Sequence, residues 1–309
     1  MRPLLIGIAG TGKIAREQHI PAIRQNSAFE LAACSNGRQP VDGIPAYDTL
    51  EEMLQARPDL DAVAICSPPQ AHYDAARLAL QHGKHVLMEK PPCPTVTQLD
   101  HLASLAGRVG RTLFQTWHMR HAAAVGPTQR WLMSRQVHGG RIVWKEDVRR
   151  WHPGQAWLWQ TDGFGVFDAG INALSVLTKV VPDPIYVQAA DLFIPSNCQT
   201  PIAATVHLAA GEAQFKAEFD FRHEGPTVWD IELITDRGTA RLHASGTSLV
   251  ADSEEPTEES PDEEYPSLYR RFDYLIGERR SDVDKRPLKL VADIFLVGRH
   301  FAVAPFDVG

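Results

Sequence analysis

The sequence predicts an α/β protein: a doubly wound parallel sheet over residues 1–120, then an α+β domain over 121–309 with a mostly antiparallel sheet. Two observations predict it. Short apolar runs alternate with helical patterns up to about residue 120, and after Gly139 strand-like runs follow one another with few helices between them. The first strands are read at 4–9, 30–34, 61–66, 85–89 and 112–116. Thr49 with Glu52 three residues on forms a capping box for a helix ending near Pro58. Residues 70–82 repeat apolar side chains at helical spacing (Ala75, Leu78, Ala79) and stop at Gly83, a C′ glycine. In the second part, strands are expected at 141–148, 186–193, 203–208, 213–221, 228–235 and 239–243. Phe215, Ala217, Phe219 and Phe221 alternate with Lys216, Glu218 and Asp220, which gives one packed face and one wet face. Helices are expected at 122–137, 167–180, 267–277 and 288–302, the last packing back on the first domain. Residues 252–264 carry eight acidic side chains in thirteen and read as a solvated loop without a function.

Size and composition narrow the class. A chain of 309 residues suits two domains and buries enough surface to need no disulfide staples. Hydrophobic residues at 44% and charged residues at 22% are ordinary for a globular protein. A formal net charge of −7 gives no support to a nucleic-acid or anionic-membrane partner. The four cysteines form no C-x-x-C pair, and Cys34 and Cys66 sit in apolar runs, which fits a reducing, cytoplasmic compartment. The short apolar N-terminal run leads into glycines instead of a cleavage site, and no apolar run is long enough to span a bilayer.

Gly10-Thr11-Gly12-Lys13-Ile14-Ala15 follows the first strand and opens a helical pattern, matching G-x-G-x-x-[GA]. Gly10 permits the tight turn, Gly12 lets backbone approach a pyrophosphate, and Ala15 lets the helix pack on the strand. Free N–H groups at the helix start suit phosphates. The carboxylate expected some twenty residues on, to hold the adenosine ribose, is missing: the second strand ends in Ser35-Asn36-Gly37-Arg38. A hydroxyl and a guanidinium attract a 2′-phosphate that a carboxylate would repel, so NADP is favoured and NAD is second. Further cofactor contacts are expected where the third and fourth strands end, from Cys66, Ser67, Pro68, His72, Glu89 and Lys90. Pro91 and Pro92 stiffen the turn after Lys90. Asp168 and Asn172 are i, i+4 neighbours if a helix starts near Phe167. His118 and His121 lack a third ligand nearby, and no metal is expected.

Glu89-Lys90-Pro91, with the N-terminal fingerprint, resembles the Gfo/Idh/MocA family of sugar and polyol oxidoreductases across essentially the whole chain. The resemblance implies a lysine, aspartate and histidine set, matched here by Lys90, Asp168 and position 172. Position 172 departs from it, because Asn stands where most relatives have His, and an amide is no general base near neutral pH. Within the family the chain is similar to bacterial L-arabinose/D-galactose 1-dehydrogenases. The shared strings are Trp144 to Gln155, Trp117-His118, the Phe167–Leu174 helix start and Gln199 to Ala204.

That likeness implies oxidation of an aldose at C1, with Lys90, Asp168 and Asn172 as catalytic residues. Sugar sites pair hydroxyls with carboxylates, imidazoles and amides and rest C–H faces on aromatics, so His118, Glu146, Trp151, His152 and Trp229 join Lys90, Asp168 and Asn172 as substrate contacts. Either Asp168 or a neutral Lys90 can serve as base on this reading. A polyol or inositol dehydrogenase and a non-catalytic NADP-binding regulator are the alternatives. An exposed sheet face needs a cover, and a homo-oligomer through the second-domain sheet is expected on that ground.

Overall fold

The computed structural model describes residues 2–37, 41–252 and 263–307, which fold into two compact units. The first comprises Met1–Trp117 and Glu264–Lys285, the second His118–Glu263 and Arg286–Gly309. The segment that returns to the first unit is therefore 264–285, whereas Arg286 onwards belongs to the second unit.

The first unit is built on strands β1 (Leu4–Ala9), β2 (Phe29–Ser35), β3 (Ala46–Tyr47), β4 (Ala62–Ile65), β5 (His85–Met88) and β6 (Leu113–Gln115). They pair in parallel in the order β3-β2-β1-β4-β5-β6, the doubly wound arrangement of dinucleotide-binding sheets. Helices α1 (Ile20–Gln25), α2 (Leu50–Ala56), α3 (Pro69–Gln81) and α4 (Val96–Val109) connect them. Local chemistry sets their ends: Thr49 Oγ1 accepts from the Glu52 N–H at 3.1 Å, and α4 stops at Gly110, whose φ of 65° suits glycine. The core on one face gathers Ile6, Ile8, Ile23, Phe29, Ala62 and Ala64 against Tyr265, Leu268, Tyr269 and Phe272. Those last four lie on the returning helix, Glu264–Gly277, where Phe272 stacks on Phe29 with centroids 5.7 Å apart.

In the second unit, α5 (Val125–Leu132), β7 (Val137–Lys145), α6 (Val148–Trp151) and α7 (Phe167–Val180) precede β8 (Ile185–Pro195), β9 (Ala203–Ala210), β10 (Ala213–Asp220), β11 (Val228–Thr235), β12 (Gly238–His243) and β13 (Ser248–Ala251). With α8 the returning helix Glu264–Gly277, the chain ends in α9 (Arg286–Val297) and β14 (Arg299–Val303). The strands form one mixed sheet in the order β13-β12-β11-β7-β10-β9-β8-β14. It is mostly antiparallel; β10 with β7 and β14 with β8 pair in parallel. The alternation read in β10 is present: Phe215, Ala217 and Phe219 are buried, and the other face carries ion pairs such as Arg141–Glu218 and Arg241–Asp230. Helix α7 is buried along nearly its whole length, and Gly170 lets it approach the sheet, since a Cβ there would stand 3.1 Å from the Phe219 ring. Two helix spans are corrected. The 122–137 segment is helical only over α5, and the 288–302 segment breaks at Gly298, where a Cβ would meet the Ile294 carbonyl at 2.7 Å. The acidic run lies, apart from its ends, outside the described residues.

Candidate active site

At the carboxyl edge of the parallel sheet, between the ends of β1 and β4, lies a cleft of about 970 Å³ lined by Gly10, Thr11, Gly12, Lys13, Arg16, Asn36, Cys66, Ser67 and Pro68 among others. This is the point where the strand order reverses, the usual ligand crevice of such sheets. Gly10 has φ +92°, and a Cβ there would stand 2.7 Å from the Ser67 backbone N, so the two strand ends come this close only with glycine. Gly12 differs: a Cβ would meet nothing within 4 Å, which leaves an open cradle above the turn. Two buried hydroxyls there, Thr11 Oγ1 and Ser67 Oγ, and Ser35 Oγ at the end of β2, have no hydrogen-bond partner among the described residues. Orphaned polar atoms around an empty backbone cradle fit the phosphates and ribose of a dinucleotide. Ile14, expected among the contacts, is exposed at the helix start and does not line the cleft. Arg38 lies outside the described residues.

Two expected cofactor contacts are corrected. His72 is fully buried; its Nδ1 faces the Pro91 and Pro92 carbonyls at 2.9 and 3.2 Å, and its Nε2 faces the Ser67 carbonyl at 2.6 Å. It ties the end of β4 to the turn after β5 and has no nitrogen left for a ligand. Burial pushes its pKa down, while the carbonyls and the Glu89 charge oppose that. Glu89 is buried too, with one carboxylate oxygen on His19 Nε2 at 2.9 Å and the other accepting the Lys90 N–H at 2.8 Å. Lys90 itself follows β5, half-buried, at the start of a cis Lys90–Pro91 peptide.

The second unit assembles a polar cluster from three elements. Asp168 and Asn172 lie one turn apart on α7 and are both buried. The turn before α7 requires glycine at 165, where φ is +51° and a Cβ would stand 2.4 Å from the Pro201 carbonyl. Glu146, just past β7, is buried and accepts the Trp144 indole N–H at 2.8 Å. His152, just past α6, places Nε2 3.9 Å from Glu146 and 3.8 Å from Asp168, and its Nδ1 stands 3.2 Å from Gln155 Oε1. Those carboxylate separations exceed hydrogen-bond length but keep one imidazole in the field of two carboxylates. Asn172 Oδ1 and Trp229 Nε1 are buried with no hydrogen-bond partner among the described residues, and Trp229 packs edge-to-face on Trp144 at 5.9 Å. The arrangement can hold hydroxyls and accept a proton. Trp151 is 39% exposed, donates to Thr227 at 3.3 Å and lies under Arg150; His118 is half-buried in a 3₁₀ turn, His118–His121. Thus the structure joins Glu146, His152, Asp168 and Asn172 in one cluster. Sequence reasoning missed His19, Tyr265 and Tyr269 behind Lys90, since a lone histidine after Arg16, Glu17 and Gln18 and two distant tyrosines carry no shared signal.

The model of the oxidoreductase family with the NAD-binding Rossmann fold matches residues 4–116. A galactose 1-dehydrogenase of Pseudomonas fluorescens is 43% identical over 307 residues, covering 99% of each chain. The crystal structure of a D-galactose-1-dehydrogenase protein from Rhizobium etli superposes with a TM-score of 0.92 at 43% identity, again over 99% of each chain. A 3-ketoreductase from Actinomadura kijaniata, in complex with NADP and TDP-benzene, shares the fold alone at 17% identity and a TM-score of 0.85, over 97% of this chain and 99% of that one. With the doubly wound sheet, its glycine turn and these whole-length likenesses together, the chain belongs to the Gfo/Idh/MocA family of oxidoreductases and is an enzyme acting on a CH–OH group.

Proposed function

We propose that this chain oxidises a cyclic aldose, D-galactose and L-arabinose foremost, at C1 to the aldonolactone. The observation that carries the proposal is the whole-length likeness to two galactose 1-dehydrogenases. The bound dinucleotide supplies the hydride acceptor. In the first unit, Thr11, Ser67 and the cradle at Gly12 hold its phosphates, and Ser35 with Arg38 favours NADP over NAD. Lys90 orients the C1 hydroxyl and stabilises negative charge as it develops on that oxygen. In the second unit, Asp168 accepts the hydroxyl proton as general base, and Asn172 holds a neighbouring hydroxyl through its amide oxygen, which has no hydrogen-bond partner among the described residues. Glu146, His152, Trp229, Trp151 and His118 bind the remainder of the sugar. Asn172 stands where the family has histidine, and His152 Nε2 lies 3.8 Å from Asp168.

The test is initial-rate formation of reduced nicotinamide with NADP and then NAD across D-galactose, L-arabinose, D-glucose, D-xylose and myo-inositol. Turnover on galactose and arabinose, faster with NADP, is expected. Turnover on inositol alone would overturn the substrate, and faster rates with NAD would overturn the roles given to Ser35 and Arg38.

A further inference from the structure

Behind Lys90, a line of buried polar groups runs through the first unit and ends on a helix far away in sequence. Lys90 donates its backbone N–H to Glu89 Oε2 at 2.8 Å. Glu89 Oε1 lies 2.9 Å from His19 Nε2, and His19 Nδ1 lies 2.8 Å from the Tyr269 hydroxyl. His19 is fully buried, Glu89 is 2% exposed and Tyr269 is fully buried. A neutral imidazole satisfies the line in one direction only: the Tyr269 O–H donates to Nδ1, and Nε2–H donates to the carboxylate. Tyr265 closes the other side, its ring edge-on to His19 at 4.9 Å. Burial and the Glu89 charge push both tyrosine hydroxyls well above their ordinary pKa, so both stay protonated.

Burying a carboxylate costs several kcal/mol, and a packed apolar residue of similar volume would often be the more stable choice. The charge here sits one residue before Lys90, on the backbone that presents it. We propose that Glu89, His19 and Tyr269 are positioning residues that fix the Lys90 backbone, and with it the direction of the ammonium, for the C1 oxidation. This rests on the role given to Lys90 above. It assigns to helix α8, the element that returns from residue 264, a part in catalysis without contact with either substrate.

The test compares wild type with Glu89→Gln and Tyr269→Phe, using D-galactose and its C1-deuterated form. Glu89→Gln removes the charge; Tyr269→Phe keeps the ring and the carboxylate, so it stays informative if the first variant folds poorly. A misdirected Lys90 slows the hydride step by about 10- to 100-fold. We expect kcat to fall by that amount in Glu89→Gln and less in Tyr269→Phe. The NADP Kd and Tm should stay near wild type, and the deuterium isotope effect on kcat should rise. Wild-type kcat and isotope effect in both variants, with Lys90→Met inactive, would overturn the proposal and leave the Lys90 reading standing. A loss of kcat that only follows a loss of Tm, with an unchanged isotope effect, would overturn it in favour of plain structural support. Full turnover in Lys90→Met would remove the Lys90 reading itself.

Discussion

Two glycines two positions apart do different work in the cofactor turn. Gly10 is required by the fold, because its positive φ and the Ser67 backbone at 2.7 Å leave no room for a side chain. Gly12 meets nothing, so an added methyl would be harmless to the protein and would occupy the space meant for a phosphate. Gly12→Ala is therefore expected to keep its Tm while the NADP Kd rises about 10- to 100-fold, equivalent to about 1.4–2.7 kcal/mol. Titration by nucleotide fluorescence and a thermal melt check the two halves, and an unchanged Kd would contradict the placement of the pyrophosphate. At this scale much was legible in sequence: the fingerprint, Lys90, and the Asp168–Asn172 pair are local spacings that any reader can count. His72 and Glu89 were not, because the same strand-end position serves a ligand or a buried tie equally well. Only the carbonyls around His72 and the imidazole on Glu89 decide which.

Strands β5 and β6 illustrate how an element's stability depends on one protonation state. His85, at the start of β5, accepts the Thr112 N–H through Nδ1 at 3.0 Å, so the ring must be neutral there. Burial, with Arg111 adding to it, lowers its pKa to about 4. An unfolded imidazole protonates near 6.5. Between those values the unfolded chain takes up a proton that the folded chain refuses, so stability present above pH 6.5 is lost as pH falls toward 4. His72 shifts in the same direction. His85→Asn keeps an acceptor for Thr112 and cannot titrate. Its Tm is expected to decline less than wild type between pH 7 and 4.5, and equal slopes would contradict this assignment. Elements were legible where periodicity was long, as in α3, α7 and β10. The C-terminal end misled because the apolar pattern of 286–297 continues into β14. The break is Gly298, whose added Cβ would stand 2.7 Å from both the Ile294 carbonyl and Leu192 Cδ1.

Across the whole molecule, strand order and chain return are the features that sequence rhythm does not encode. Alternation announced a parallel sheet, but nothing local in residues 264–285 says that they rejoin the first unit, where Tyr265, Tyr269 and Phe272 complete its core. The same holds for Glu146, His152 and Asp168, which three separate elements bring to one imidazole. Their residue types suggested a sugar site, while their meeting needed the structure. Function is thus distributed: a cofactor cleft with orphaned hydroxyls in one unit, and buried carboxylates and an amide beside a half-buried imidazole in the other. On the proposed function, this machinery removes a hydride from C1 of an aldose. The most direct measurement follows deuterium by NMR from C1-deuterated D-galactose with NADP. The label is expected on the nicotinamide ring, with an unlabelled lactone that opens to the acid. Label retained in the sugar product, or a ketone in place of the lactone, would contradict it.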